Sequence, residues 1–284
     1  MSGPLVLKLG GELLETPEQR ATFASVAAAL APHRPLVVVH GGGRKIDAEL
    51  DRRGIAPKKV DGLRITDAPT LDVVVSVLGG ASNTELVAAL VAKGVAAVGL
   101  TGVDAGLGRA TRTQAHRSTT GTLVDLGHVG DPADADASLL ELLLVHGYVP
   151  VVASLGLEAG ASGGILNVNA DVMACRIAVA LGGSDLVIAG GTPGVLDDKG
   201  ETIAMLDADG IERAIASGTA TAGMVAKLSA CRTALLEGVA SVRIVDGKMF
   251  DAVHGIDDAP GTLLMLGLQA AGGGQPASTR ALST

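Results

Sequence analysis

Two lysines are placed where an ammonium group is either costly or purposeful. Lys8 interrupts an otherwise apolar run over residues 4–9, and Lys227 falls in the first turn of a helix opened by Gly223-Met224. An ammonium inside a buried strand costs several kcal/mol unless an anion pairs with it, which makes Lys8 a ligand candidate. Lys227 has a weaker case, because a lysine in a helix is usually solvated. Asp171 closes the stretch Asn167-Val-Asn-Ala-Asp171 where a helix begins. A carboxylate there can complement the helix dipole, or hold two ammonium groups that neutralise a phosphoryl group in transfer.

Glycines point the same way. Gly10-Gly11, Gly41-Gly42-Gly43 and Gly190-Gly191 with Gly194 each follow directly on a strand-like run. At the carboxyl edge of an open parallel sheet such turns let backbone N–H groups approach phosphates closely, and three of them on one edge suggest a polyphosphate cradle. No GxGxxG follows a strand. The GxxxxG frame at 218–223 continues as Met-Val where a P-loop has Lys-Ser or Lys-Thr, so the cradle is of another kind.

Other chemistries are excluded. Cys175 and Cys231 lie in apolar, helix-like stretches and read as buried reduced thiols. The six histidines never form HExxH, so no metal held by protein ligands is expected. A net charge of −8 and an aromatic content of 1% speak against a nucleic-acid partner. The N-terminal apolar run is broken by Lys8 and Glu12, and the run at 86–103 carries Lys93 and glycines. Neither a signal peptide nor a membrane partner is predicted, and a cytoplasmic protein acting on small molecules is expected.

The elements that must position these residues follow from periodicity. With 284 residues, 48% apolar, the chain supports a large core. Short β-branched runs over 4–9, 35–40, 96–100, 149–153, 185–189 and 241–245 alternate with helix-period stretches. Thr16-Pro17 opens a helix to about residue 31, and others are predicted over 44–53, 71–77, 82–93, 139–146, 170–181, 207–217 and 224–237. The pattern predicts an α/β fold, a three-layer α/β/α sandwich with a mostly parallel central sheet. Segments 54–66 and 104–130 lack helical periodicity and read as hairpins over the sheet edge, where such excursions often cover a ligand. Residues 1–268 are read as a single domain, with one lobe over about 1–180 and a second over about 181–268. Residues 269–284 have the composition of a flexible tail.

The pieces Lys8-Leu-Gly-Gly, His40-Gly-Gly-Gly, Gly62-Leu-Arg-Ile-Thr66, Gly80-Ala-Ser-Asn83, Asn167-Val-Asn-Ala-Asp171 and Gly223-Met-Val-Ala-Lys227 occur in the order seen in the amino acid kinase family. The chain resembles that family over about residues 4–266, most closely the branch that phosphorylates N-acetyl-L-glutamate. The resemblance implies phosphoryl transfer from ATP, with Mg²⁺ held mainly by phosphates, to the side-chain carboxylate of the acylated amino acid, a step of arginine biosynthesis. It implies that Lys8 holds the transferring group, Lys227 the leaving β-phosphate side, and that Asp171 orients both. Gly10, Gly11, Gly42 and Gly43 would donate N–H groups along the phosphate path, with Gly42 and Gly43 also at the substrate. Arg64 would take the substrate's α-carboxylate and Asn167 its amide or carboxylate oxygens, with Lys59 and Gly194 on the nucleotide side. The lobe at 1–180 would hold the amino acid and that at 181–268 the nucleotide.

The chain departs from the family in having Gly190-Gly191 where a Ser or Thr followed by Asp is usual. Asp251 stands where arginine-inhibited members carry His, which implies no arginine feedback and, by default, an isologous homodimer. A kinase for another acylated or carrier-bound acidic amino acid, such as N-succinylglutamate or carrier-protein aminoadipate, remains open at this point. So does a non-catalytic sensor of nucleotide or amino acid.

Overall fold

Runs of Val and Leu set the centre of the molecule. In chain order the first half comprises β1 (Leu5–Leu9), α1 (Pro17–Leu30), β2 (Leu36–His40), α2 (Gly43–Arg52), β3 (Lys59–Val60), β4 (Leu63–Arg64), α3 (Ala68–Val75) and α4 (Asn83–Ala92). Then come β5 (Ala97–Gly102), β6 (Gly108–Arg112), β7 (His116–Arg117), β8 (Leu123–Val124), β9 (Val129–Ala135), α5 (Ser138–Val145), β10 (Val149–Glu158), β11 (Ile165–Val168) and α6 (Ala170–Ala180). The remainder is β12 (Asp185–Gly190), β13 (Met205–Leu206), α7 (Ala208–Ala216), α8 (Ala222–Leu236), β14 (Ser241–Asp246) and β15 (Gly261–Leu264). The structure, a computed structural model, describes residues 3–118, 120–160, 163–216, 222–250, 256 and 259–267. The tail at 269–284, Asp251 and residues 218–221 of the glycine frame lie outside the described residues.

Among the described residues eleven strands form one sheet in the order β11-β9-β6-β10-β2-β1-β12-β14-β15-β13, with β5 on β10. β1 pairs in parallel with both β2 and β12, and β12 in parallel with β14. Within this sheet antiparallel strand pairing is confined to β10–β11, β6–β9 and β14–β15. Because strand residues alternate between faces, the two core layers can be assigned. Leu5, Leu7 and Leu9 pack with Phe23 and Ala27 of α1 and Leu86 of α4. Val6, Val37 and Val39 pack on the other face with Met173 and Ile177 of α6 and Leu228 of α8. Lys8 shares the face of Val6 and is thereby aimed at α6 and α8. That is the three-layer sandwich read from the sequence.

β10 changes neighbours halfway. Residues 151–153 pair with β2 and residues 149–153 with β5, whereas Leu155, Gly156 and Leu157 pair with β11 and Leu157 and Glu158 with β6. β2 ends at His40, its glycine turn peels away from the sheet, and a cleft opens at the carboxyl ends of β1 and β2.

Two expectations are corrected. The helices predicted over 71–77 and 82–93 are one run, Ala68–Ala92, whose middle, Ser76–Ser82, is π-helical. Gly79-Gly80 suggests a break, but a Cβ on Gly79 would already be 3.3 Å from Thr101 and Leu155, so this glycine serves close packing on the sheet. The run is long and apolar enough to cross a membrane by length and composition, and 44% of its most apolar 18-residue window is buried within the fold. Segment 104–130 does not lie over the edge throughout. Its β6 pairs with β9 inside the main sheet, and only β7–β8 forms a separate hairpin. The 54–66 segment is the expected hairpin, β3–β4.

Candidate active site

Three charged residues far apart in sequence meet beneath this cleft. Lys8 Nζ lies 2.7 Å from Asp171 Oδ1, and Lys227 Nζ lies 3.5 Å from Asp171 Oδ2. All three side chains are at most 15% exposed, so each charge needs the others. Asp171 is free for this task because the helix start is capped by another residue. The side chain of Asn169 accepts the N–H groups of Asp171 at 2.8 Å and Val172 at 3.3 Å. Burial alone would raise the Asp171 carboxyl, but Lys8 and then Lys227 outweigh it and hold it below the usual carboxylate range. The result is a rigid pair of ammonium groups sharing one anion.

The glycine turns bring backbone to the same place. α2 starts at Gly43 with Gly42 before it and no side-chain cap. The first N–H groups of a helix have no partner within it, which leaves them to an anion. Gly11 and Gly42 meet closely, a Cβ on Gly11 coming within 2.9 Å of Gly42 Cα. His40 anchors this turn. The neutral ring donates from Nδ1 to the Gly41 carbonyl at 3.2 Å and accepts from Asn83 Nδ2 at 3.1 Å. Burial holds its pKa down at about 4. Gly10 is corrected as a donor, since its N–H is spent on the Ala189 carbonyl at 2.8 Å. A Cβ there would displace the Glu12 carboxylate, which sits over this glycine.

On the opposite wall stands the β3–β4 hairpin, whose turn residues Asp61 and Gly62 have φ of 48° and 82°. Arg64, with 8% of its side chain exposed, pairs through Nη1 with Asp47 Oδ1 at 2.6 Å. Its Nη2 donates to the Gly43 carbonyl at 3.1 Å. Lys59 pairs with the other oxygen of Asp47 at 2.7 Å. Burial pushes the Asp47 carboxyl up, Arg64 and Lys59 pull it down more strongly, and it ends below the usual range. Asn167 Nδ2 donates to Thr66 Oγ1 at 3.2 Å.

Lys8, Gly10, Gly11, Gly42, Gly43, Lys59, Arg64, Asn167 and Asp171 all line one cleft of about 350 Å³. Lys227 joins it through Asp171. Gly194 does not. Its φ of 127° demands glycine, and a Cβ would crowd Thr262 Oγ1 at 2.6 Å, so the fold alone accounts for glycine at this position. Lys59, placed on the nucleotide side by resemblance, stands across from Arg64 in the β3–β4 hairpin. At Gly190-Gly191, Glu12 reaches across from the β1 turn and accepts the Gly191 N–H at 2.9 Å.

Sequence reasoning missed Asp47, although it stands four residues after Gly43 on the helix face that meets the cleft. Both thiols are buried as expected. They follow Asp171 and Lys227 by one helical turn, and the hydrogen bond with Cys175, with burial added, pushes the Cys231 thiol well up.

The fold and these charged groups are those of a phosphotransferase. Residues 3–246 match the model of the amino acid kinase family, and the chain belongs to that family. An acetylglutamate kinase of Symbiobacterium thermophilum is 42% identical over 250 residues, 86% of this chain and 84% of that protein. One from Koribacter versatilis is 40% identical over 257 residues, 90% of this chain and 95% of the other. Among solved structures, N-acetylglutamate synthase from Neisseria gonorrhoeae, complexed with coenzyme A and N-acetyl-glutamate, superposes with a TM-score of 0.77 at 23% identity. The match covers 93% of this chain and 59% of that one. Carbamate kinase from Giardia lamblia bound to AMP-PNP gives 0.64 at 14% identity, over 93% and 98%. These two likenesses are of fold alone.

Proposed function

We propose that this chain transfers the terminal phosphoryl group of ATP to the side-chain carboxylate of N-acetyl-L-glutamate, giving N-acetylglutamyl 5-phosphate in arginine biosynthesis. The observation that carries the reading is the convergence of Lys8 and Lys227 on Asp171. Relatives 38% to 42% identical, each an acetylglutamate kinase, support the choice of acceptor.

The chemistry asks little of a base. A glutamate side chain has an unperturbed pKa of about 4.3 and is already ionised at neutral pH, so the attacking oxygen needs no deprotonation. The difficulty is bringing an anion against a polyanion, which positioning and charge neutralisation solve. Lys8 faces the transferring group and Lys227 the leaving side, with Asp171 holding both in place. The first amides of α2 and that of Gly11 serve the phosphates. Arg64 takes the α-carboxylate and Asn167 the amide. Among the described residues no three His, Cys, Asp or Glu side chains gather as a metal site, and Asp171 is already shared by two ammonium groups. We assign Mg²⁺ to the phosphate oxygens of the nucleotide.

We assign the lobe at about 1–180 to the amino acid and that at about 181–268 to the nucleotide. The assembly we assign is a homodimer in the cytoplasm. Supporting it, β5 is an edge strand, and α4 and α5 expose Val91 at 54% and Val145 at 82%. Hydroxylamine trapping and ADP release across N-acetylglutamate, N-succinylglutamate, free glutamate, aspartate, carbamate and UMP test the function. ATP-dependent hydroxamate is expected with N-acetylglutamate, and its absence there with turnover of another acceptor overturns the assignment.

A further inference from the structure

The cleft contains the same arrangement twice. At one end the Asp171 carboxylate is shared by two cations, Lys8 and Lys227; at the other the Asp47 carboxylate is shared by Arg64 and Lys59. We infer that Asp47 is a positioning residue of the acceptor subsite, fixing Arg64 and Lys59 as a paired receptor for the α-carboxylate of the acylated amino acid. The inference rests on the function proposed above.

A free arginine side chain has many rotamers, and ordering it when substrate arrives weakens binding. Here that ordering is already done. Asp47 Oδ1 holds Nη1 at 2.6 Å while the Gly43 carbonyl holds Nη2 at 3.1 Å, so the guanidinium is gripped from two points of α2. A guanidinium has five N–H donors, and these two contacts leave others for a second carboxylate. Oδ2 of Asp47 engages Lys59 at 2.7 Å, which draws the second cation of the hairpin to the same helix. Asp47 stands on α2 one turn beyond Gly43, so the acceptor's receptor and the phosphate-binding helix start are in fixed relation. In-line transfer depends on that relation, since misplacement by about 1 Å costs on the order of 10²-fold in rate.

The test is a mutant cycle in the full chain. Asp47→Asn keeps the size of the side chain and removes its charge. The expected result is a KM for N-acetylglutamate raised about tenfold or more, with the KM for ATP within about twofold of the original. In a background lacking both cations, Arg64→Ala with Lys59→Ala, the same substitution adds less than about twofold, because both of its partners are already gone. Calorimetric titration of N-acetylglutamate should show the same loss and the same coupling. An unchanged KM for the amino acid, an equal effect in both backgrounds, or a parallel rise in both KM values overturns the role. Should Asp47→Asn not fold, Asp47→Glu carries the same split between the two KM values. Failure of the acceptor assignment is distinguishable: the unsubstituted protein would then not turn over N-acetylglutamate at all, and the cycle would be run with the acid it does accept.

Discussion

The strongest consequence at the scale of single residues concerns Lys8 and Lys227. In the function proposed above each neutralises charge that develops between phosphate and carboxylate, so Lys8→Ala and Lys227→Ala should each lower kcat by on the order of 10² to 10³. The unfolding midpoint should move far less than it would on loss of Asp171, which leaves two buried ammonium groups without their anion. Steady-state kinetics with urea melts distinguish the two, and an unaltered kcat for Lys227→Ala would remove its role. The sequence announces these residues unequally. Lys8 is legible because a lysine in an apolar strand needs an explanation, and Asp171 because it opens a helix after a polar loop. Lys227 is not, since helix lysines are usually solvated and only packing of α8 on α6 gives it a partner. Asp47 is hidden for a similar reason. α2 carries Arg44, Lys45, Glu49 and Asp51 as well, and nothing in the spacing marks one of these charges as structural.

For the elements, the strands of the central sheet are readable because their faces are fully apolar, and their predicted limits agree with the structure to within a few residues. β10 is the exception, running to Glu158 rather than to residue 153. Short strands such as β11 and β15 carry too few residues to show a period, and their pairing is set by neighbours far along the chain. Gly194 shows how a glycine can answer to the fold. It follows a strand at the expected edge of the sheet, yet its φ of 127° and its contact with buried Thr262 tie it to the turn, where Val195 N–H donates to Thr262 Oγ1 at 2.8 Å. Gly194→Ala should therefore destabilise the fold by about 1–3 kcal/mol in urea denaturation while leaving the KM for ATP unchanged. A stable variant with a raised KM for ATP would return this glycine to the nucleotide site.

Across the whole molecule, acid stability is governed from pH 6.5 downward by one buried imidazole. In the unfolded chain His40 takes up a proton near pH 6.5, whereas in the folded chain burial delays this to about 4. The unfolded state therefore binds more protons between those values. Stability is full above the upper one and is lost progressively as the pH falls to the lower, by roughly 3 kcal/mol. The lowered carboxyls of Asp47 and Asp171 act in the same direction but further down, below about pH 4. Urea midpoints measured at pH 7 and 4.5 should show a steeper decline for the natural protein than for His40→Asn, and equal slopes would contradict the burial argument. The α/β/α layering itself is legible at this scale because strand-like and helix-like runs alternate through the whole length. One sheet runs through both expected lobes, with β1 between β2 and β12.

That central position of β1 has a consequence for how the two ligands are held. Lys8 rides on a strand flanked by neighbours on both sides, whereas Arg64 and Lys59 belong to a two-stranded ribbon outside the main sheet, moored to α2 by side chains. One wall of the cleft is keel and the other is rigging. On the function proposed above, the phosphates would meet a strand paired on both sides, and the smaller acid a ribbon tied to its helix by two ion pairs.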